Sequence, residues 1–151
     1  MRPARPLLAI AAIAAALGVV GCQAETGPVT VADVRIGQPT GPNAALYLTA
    51  SAQGQGDRLM GAETDVARAV EIHESTADDD GTVSMRPIDD VEIPPEGALV
   101  LEPGGLHLML VDVERLELGD VVEVTLVWET AGEMTVDAQV VDPGDTVGHD
   151  G

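Results

Sequence analysis

The chain has 151 residues and a mass of 15.5 kDa, which is enough for one domain but not for two sizeable cores. Seven arginines and no lysine stand against 26 acidic residues, and the formal net charge of −19 excludes charge-driven binding to nucleic acids or to anionic membrane surfaces. A hydrophobic content of 45% separates the chain from disordered acidic sequences, while one Trp, one Tyr and no Phe argue against base-stacking surfaces and large aromatic ligand pockets.

Residues 1–21 have the features of a secretory signal peptide. Arg2 and Arg5 form a charged start, and the apolar run that follows is shorter than the roughly 20 residues of a membrane-spanning helix. The run ends in Val-Val-Gly-Cys at 19–22, which resembles a bacterial lipobox, and Cys22 is the only cysteine in the chain. This resemblance implies that Cys22 is diacylated through its sulfur. The alternative is an ordinary signal peptide with a cysteine nearby by chance.

The rest of the chain divides into three parts. Residues 22–28 form a short polar tether, residues 29–142 form the folded domain, and residues 143–151 form a tail without apolar periodicity. We expect both the tether and the tail to be mobile. The mature protein is then held at the extracytoplasmic face of a membrane in the cell envelope by its lipid alone. Removal of residues 1–21 takes away two arginines and brings the formal charge to −21.

Short runs of Val, Ile, Leu and Thr, separated by clusters of Gly, Pro and Asp, predict an all-β domain. The predicted strands cover residues 29–36, 44–50, 70–74, 83–88, 98–101, 106–111, 121–130 and 134–141. A spacing of roughly ten residues per strand and turn is typical of a β-sandwich or barrel. The Pro-Gly-Gly sequence at 103–105 predicts a tight turn just before His107.

Alternation along three strands predicts which residues face the core. Trp128 shares a face with three aliphatic residues of its strand and is predicted to be buried. In the strand at 70–74, His73 lies on the same face as Glu71, opposite the aliphatic residues. In the strand at 106–111, His107 and Met109 share the face opposite the leucines.

The pair His107 and Met109 places an imidazole and a thioether about 6.6 Å apart along one strand. Such ligands favour Cu(I) over hard cations, and thioethers argue against zinc. The pair alone is more typical of a surface histidine beside a core or edge methionine. The other methionines of the domain, Met60 and Met134, are predicted to be packing or edge residues.

A longer spacing pattern is more specific. His73 is followed by 11 residues and Met85, then by 21 residues and His107, then by one residue and Met109. The pattern resembles that of the periplasmic copper chaperone PCu(A)C family. Further matching segments are 44–49 (AALYLT), 57–62 (DRLMGA), 70–75 (VEIHES), 85–88 (MRPI), 103–110 (PGGLHLML), 119–120 (GD) and 126–129 (LVWE).

The resemblance implies a cupredoxin-like, Greek-key β-sandwich with a shallow Cu(I) site near solvent. By the same resemblance, the ligands are His73, Met85, His107 and Met109. It implies a chaperone, not an enzyme, that passes Cu(I) to the dinuclear copper centre of cytochrome c oxidase subunit II, directly or with a Sco-type thiol protein.

Two positions near the pattern depart from many members of the family. Glu74 stands where those members have a methionine directly after the first histidine. Some members also carry a tail rich in His and Met, whereas the tail here offers only His149. We therefore expect His149 to be a solvated residue and not part of a second copper site.

Two other functions remain as alternatives. A blue-copper electron-transfer site needs a cysteine thiolate beside two histidines, and Cys22 lies outside the predicted domain. A metal-free surface lipoprotein that acts as a binding or structural module is the second alternative. The chain has no HExxH sequence and no nucleophile–base signature, so a hydrolytic enzyme is disfavoured.

Overall fold

The computed structural model describes residues 29–146, and most of these residues lie in β-strands. The predicted signal peptide, the tether with Cys22, and His149 lie outside the described residues. The elements are β1 Val29–Gly37, β2 Ala44–Ala52, β3 Asp57–Glu63, β4 Ala67–Ala77, β5 Val83–Ile88, β6 Val91–Ile93, β7 Ala98–Leu101, β8 Leu106–Val113, β9 Val121–Trp128, β10 Gly132–Val141 and a 3-10 helix, Pro143–Thr146. In this part of the chain, no helix has the length and apolar character needed to cross a membrane.

One continuous hydrogen-bonded path connects the strands. Its order is β5-β4-β8-β2-β1-β10-β9-β3-β6, and β7 also pairs with β2. Strand β1 joins the two halves of the path, because it runs antiparallel to β2 and parallel to β10. A register shift lies between Ala32 and Arg35, where Asp33 has a φ of 55°. Such a bulge bends and twists a strand, which helps the sheet to close around a core.

The inward faces of the strands enclose one aliphatic core. The largest fully buried side chains are Trp128, Ile36, Leu46, Leu48, Leu59, Ile93, Leu101, Leu108, Leu110, Leu126, Val124 and Val140. The prediction that Trp128 is a core residue is confirmed. The predicted leucine face of β8 is also confirmed, since Leu108 and Leu110 are both 0% exposed. The all-β prediction is therefore correct.

Two strands were missing from the sequence prediction. Strand β3 interrupts its own alternation: it begins with Asp57 and Arg58, and its pairing with β9 shifts register between Leu59 and Gly61. Strand β6 has only three residues, fewer than the four to eight by which strands are recognised. The predicted end of β9 at residue 130 was wrong by two residues.

The strand ends are set by side chain to backbone hydrogen bonds that a sequence pattern does not reveal. The N–H groups of Thr130 and Ala131 donate to the Asp57 carboxylate, which holds the turn after β9. At the other end of the domain, Arg35 Nε donates to the Thr146 carbonyl oxygen over 2.7 Å, and Thr146 is buried. The described fold thus continues beyond residue 142 into the 3-10 helix.

Candidate metal centre

The pairing of β4 with β8 brings the two strand histidines together. His73 and His107 are direct partners in this antiparallel register, and Glu71 is opposite Met109. Directly opposite residues share a face of the sheet, with Cβ atoms about 4.5–5.5 Å apart. The two imidazole rings have centroids 5.7 Å apart and an interplanar angle of 58°. Two side chains that are distant in sequence therefore form a close pair.

The two methionines of the pattern flank this histidine pair on the same face. Met109 lies diagonally across from His73, since its direct partner on β4 is Glu71. Met85 lies diagonally across on the other side, since its direct partner is Ser75. Diagonal neighbours are about 7–8 Å apart, within reach of long side chains. All four residues of the pattern thus lie on one face of three adjacent strands, β5, β4 and β8.

Exposure increases from β8 toward the edge strand β5. His107 is 3% exposed and the His73 side chain is 15% exposed, whereas Met85 is 57% exposed. Strand β5 is outermost in the hydrogen-bonded path and contains Pro87, a residue tolerated at sheet edges. The face thus combines a buried His107 and a partly buried His73 with a thioether that is open to solvent.

Each imidazole has one ring nitrogen near a hydrogen-bond acceptor. His73 Nε2 lies 2.9 Å from Glu71 Oε2, and His107 Nδ1 lies 3.3 Å from the Gly105 carbonyl oxygen. The other ring nitrogen of His73, Nδ1, is buried and has no hydrogen-bond partner among residues 29–146. The predicted Pro-Gly-Gly turn thus supplies an acceptor for one of the two rings.

Burial sets the protonation of the His107 imidazole. It lowers the pKa of His107 because the charged ring loses hydration, and the nearby His73 lowers it further, while the hydrogen bond to Gly105 opposes both effects. A lowered pKa keeps the ring neutral at pH 7, and only a neutral imidazole binds a metal.

Tyr47 on β2 lies beside the ring of His107. Its ring centroid is 6.4 Å from that of His107, at an interplanar angle of 51°. Burial raises the pKa of the Tyr47 hydroxyl, against the opposing charge of Arg35. This contact could not be predicted from the sequence pattern, because it depends on the pairing of β2 with β8. The place of Glu71 was visible in the strand alternation, but its contact with His73 was not.

Other candidate residues lie apart from this face. Met134 packs partly buried against the core, and Met60 is 43% exposed on β3. Glu74 forms an ion pair with Arg86 and alternates to the face opposite His73. Within the described range, no three His, Cys, Asp or Glu side chains are grouped as they would be around a metal ion.

Comparisons with known proteins agree with the fold and the residue pattern. The family model LpqE-like, described as "Putative lipoprotein LpqE-like", matches residues 29–140. A copper-bound PCuAC domain from PmoF2 is 30% identical with a TM-score of 0.66, over 78% of this chain and 96% of that domain. No curated protein matches the chain.

Two further solved structures show the same likeness. An apo PCuAC domain from PmoF1 is 28% identical with a TM-score of 0.64, over 79% of this chain and 98% of that domain. The Cu(I) form of DR1885 from Deinococcus radiodurans is 28% identical with a TM-score of 0.59, over 82% and 84% of the two chains. The predicted cupredoxin-like fold and the family resemblance are confirmed.

The histidine pair predicts a measurable pH dependence. In the copper-free protein, NMR titration of the His107 ring should give a pKa below the ordinary 6.5. Because the unfolded chain binds this proton more readily, His107 should lower the free energy of unfolding as the pH falls below about 6.5. In the variant His73→Gln, the pKa of His107 should rise but stay below 6.5, because desolvation is the larger cause. A pKa at or above 6.5 in the folded wild type would contradict this account.

Proposed function

This chain belongs to the LpqE-like family of PCuAC copper-chaperone domains, and on that premise we propose that it is an extracytoplasmic chaperone that binds one Cu(I). The proposed ligands are His73, Met85, His107 and Met109. The observation that carries the proposal is the shared face: the β4–β8 register pairs the two imidazoles, and both thioethers flank them. A metal-bound imidazole nitrogen lies about 2 Å from its metal, so ring centroids 5.7 Å apart leave room for one ion between them.

The chemistry of the donors selects the ion. Thioether sulfur is a soft ligand and imidazole nitrogen is intermediate, a combination that suits Cu(I) and not Mg²⁺ or Ca²⁺. Thioethers bind without losing a proton, so only the two histidines make the binding depend on pH. The lowered pKa of His107 keeps one of them ready to bind at neutral pH.

The exposure of the ligands supports a role in transfer and not in storage. Met85 lies on an edge strand and is 57% exposed, so an acceptor ligand can approach the ion from this side. Replacement of the Met85 thioether by a ligand of the acceptor would begin the exchange, while the less exposed histidines still hold the ion. The formal charge of −19 also attracts cations to the molecule.

The first test is a competition titration of residues 22–151 with Cu(I) and a chromophoric Cu(I) chelator. The wild type should bind one equivalent. His107→Ala and Met109→Ala should each weaken binding by at least about tenfold, equivalent to about 1.4 kcal/mol, because each removes a ligand. Met60→Ala removes an exposed thioether from the other half of the sheet and should bind as the wild type does.

The same titration separates the alternatives. Unchanged Cu(I) binding in both His107→Ala and Met109→Ala would refute the proposed ligands. A wild type that binds no copper would instead favour a metal-free binding or structural module. An intense blue Cu(II) spectrum would indicate an electron-transfer site, which requires a cysteine ligand.

We propose further that the acceptor is the dinuclear copper centre of cytochrome c oxidase subunit II, reached directly or with a Sco-type thiol protein. Thiolates bind Cu(I) more tightly than neutral donors do, so the free energy of copper transfer to a thiol acceptor is favourable. Cu(I)-bound protein mixed with the copper-free soluble domain of either acceptor should lose its copper to that domain, as measured by metal analysis after separation. Copper that stays on the chain, although both acceptors take Cu(I) from a chelator, would contradict this acceptor choice.

We also propose that residues 1–21 are removed, that Cys22 carries the lipid anchor, and that residues 22–28 tether the domain. The match to a lipoprotein family and the lipobox-like sequence support this arrangement. The full-length wild type, expressed in a bacterial host, should incorporate labelled fatty acid, and Cys22→Ala should not because it has no acylation site. His149→Ala is the matched control and should behave as the wild type. Fatty-acid labelling of Cys22→Ala would contradict the anchor.

A further inference from the structure

We infer that Glu71 is a positioning residue of the proposed copper site: it holds the Nε2–H of His73 and thereby presents the Nδ1 lone pair of that ring to the metal. The inference rests on the proposed function and adds to it the donor atom of one ligand and the residue that selects this atom.

The first observation is the contact itself. Glu71 and His73 are two residues apart on β4, so they share a face, and Oε2 of the carboxylate lies 2.9 Å from Nε2 of the ring. Glu71 is also the direct cross-strand partner of Met109. The carboxylate is therefore beside two of the four proposed ligands.

The second observation is the state of the other ring nitrogen. His73 Nδ1 is buried and has no hydrogen-bond partner within residues 29–146. A buried polar atom without a partner is destabilising, and such atoms in folded proteins call for an explanation. A metal ion that accepts this lone pair provides one.

The chemistry of the pair fixes which nitrogen carries the hydrogen. A carboxylate only accepts hydrogen bonds, so the nitrogen that faces Glu71 must be the donor. In a neutral imidazole, the hydrogen on Nε2 leaves the lone pair on Nδ1. A metal-bound histidine whose other nitrogen donates to a carboxylate is a stronger and better oriented ligand. This arrangement assigns Nδ1 of His73 to the metal.

The second histidine has the opposite arrangement. His107 Nδ1 lies 3.3 Å from the Gly105 carbonyl oxygen, which leaves Nε2 of that ring as the nitrogen with the lone pair. The two rings would then bind the ion through different nitrogens. A neutral carbonyl holds one ring and a charged carboxylate holds the other, so removal of Glu71 takes the acceptor from His73 and leaves the Gly105 contact of His107 in place.

Glu74 provides a matched control on the same strand. It is a carboxylate three residues away, but it forms its ion pair with Arg86 and alternates to the other face. Its removal changes the net charge of the protein by the same amount as removal of Glu71. Only the loss of Glu71 takes an acceptor from a proposed ligand.

The test combines one measurement on the wild type with a set of variants. Long-range ¹H–¹⁵N NMR spectra of the histidine side chains identify the protonated nitrogen of His73, and we expect Nε2–H both without copper and with one Cu(I). Glu71→Ala should weaken Cu(I) binding by about 10- to 100-fold at unchanged stoichiometry. Glu71→Gln, which keeps an acceptor oxygen, should lose less, and Glu74→Ala should bind as the wild type does.

The outcomes separate this inference from the proposed function. Cu(I) bound with a protonated Nδ1 on His73 would overturn the role of Glu71 and leave the chaperone proposal standing. Equal affinity in Glu71→Ala and the wild type would do the same. A wild type that binds no Cu(I) would overturn both. The NMR measurement needs no variant, so the inference stays testable even if Glu71→Ala fails to fold.

Discussion

The antiparallel register between β4 and β8 is the constraint on which the candidate site depends. It pairs His73 with His107 and fixes the diagonal place of Met109. A slip of one residue would send one histidine to the other face of the sheet, because side chains alternate along a strand. Packing on the core face stabilises this register, because the cross-strand partners Ile72 and Leu108 are both buried there. The hydrophobic core thus positions polar residues on the opposite face of the sheet.

The same packing sets the chemistry of the site. Burial of the His107 imidazole disfavours its charged form, and the pKa of His107 is lowered accordingly. A neutral His107 ring can bind a metal without competition from a proton. On the proposed ligand set, the open side at Met85 leaves the ion accessible to another protein, because this thioether is exposed on an edge strand. Binding and release would then involve different parts of one face.

The success of the sequence prediction varied with the length and regularity of each strand. Strand β9 alternates without interruption, so its buried face, including Trp128, was predicted correctly. Strands β3 and β6 were missed because one has polar residues and an irregular register and the other has three residues. Strand β3 is stabilised by pairing with β9 and β6, and β6 by pairing with β3. This contribution comes from residues far away in the chain.

The sequence by itself determined the donor types, their spacing, and the face of each strand on which His73, His107 and Met109 lie. Alternation is a local property of an extended chain, so it can be read without knowledge of the fold. Only the tertiary structure decided which strands are neighbours, and with that the 5.7 Å separation of the two rings, the contact of Tyr47 with His107, and the carboxylate of Glu71 on His73 Nε2. Strand pairing joins residues that are distant in sequence, and the free energy that selects one pairing comes from burial of the whole core, not from any single segment.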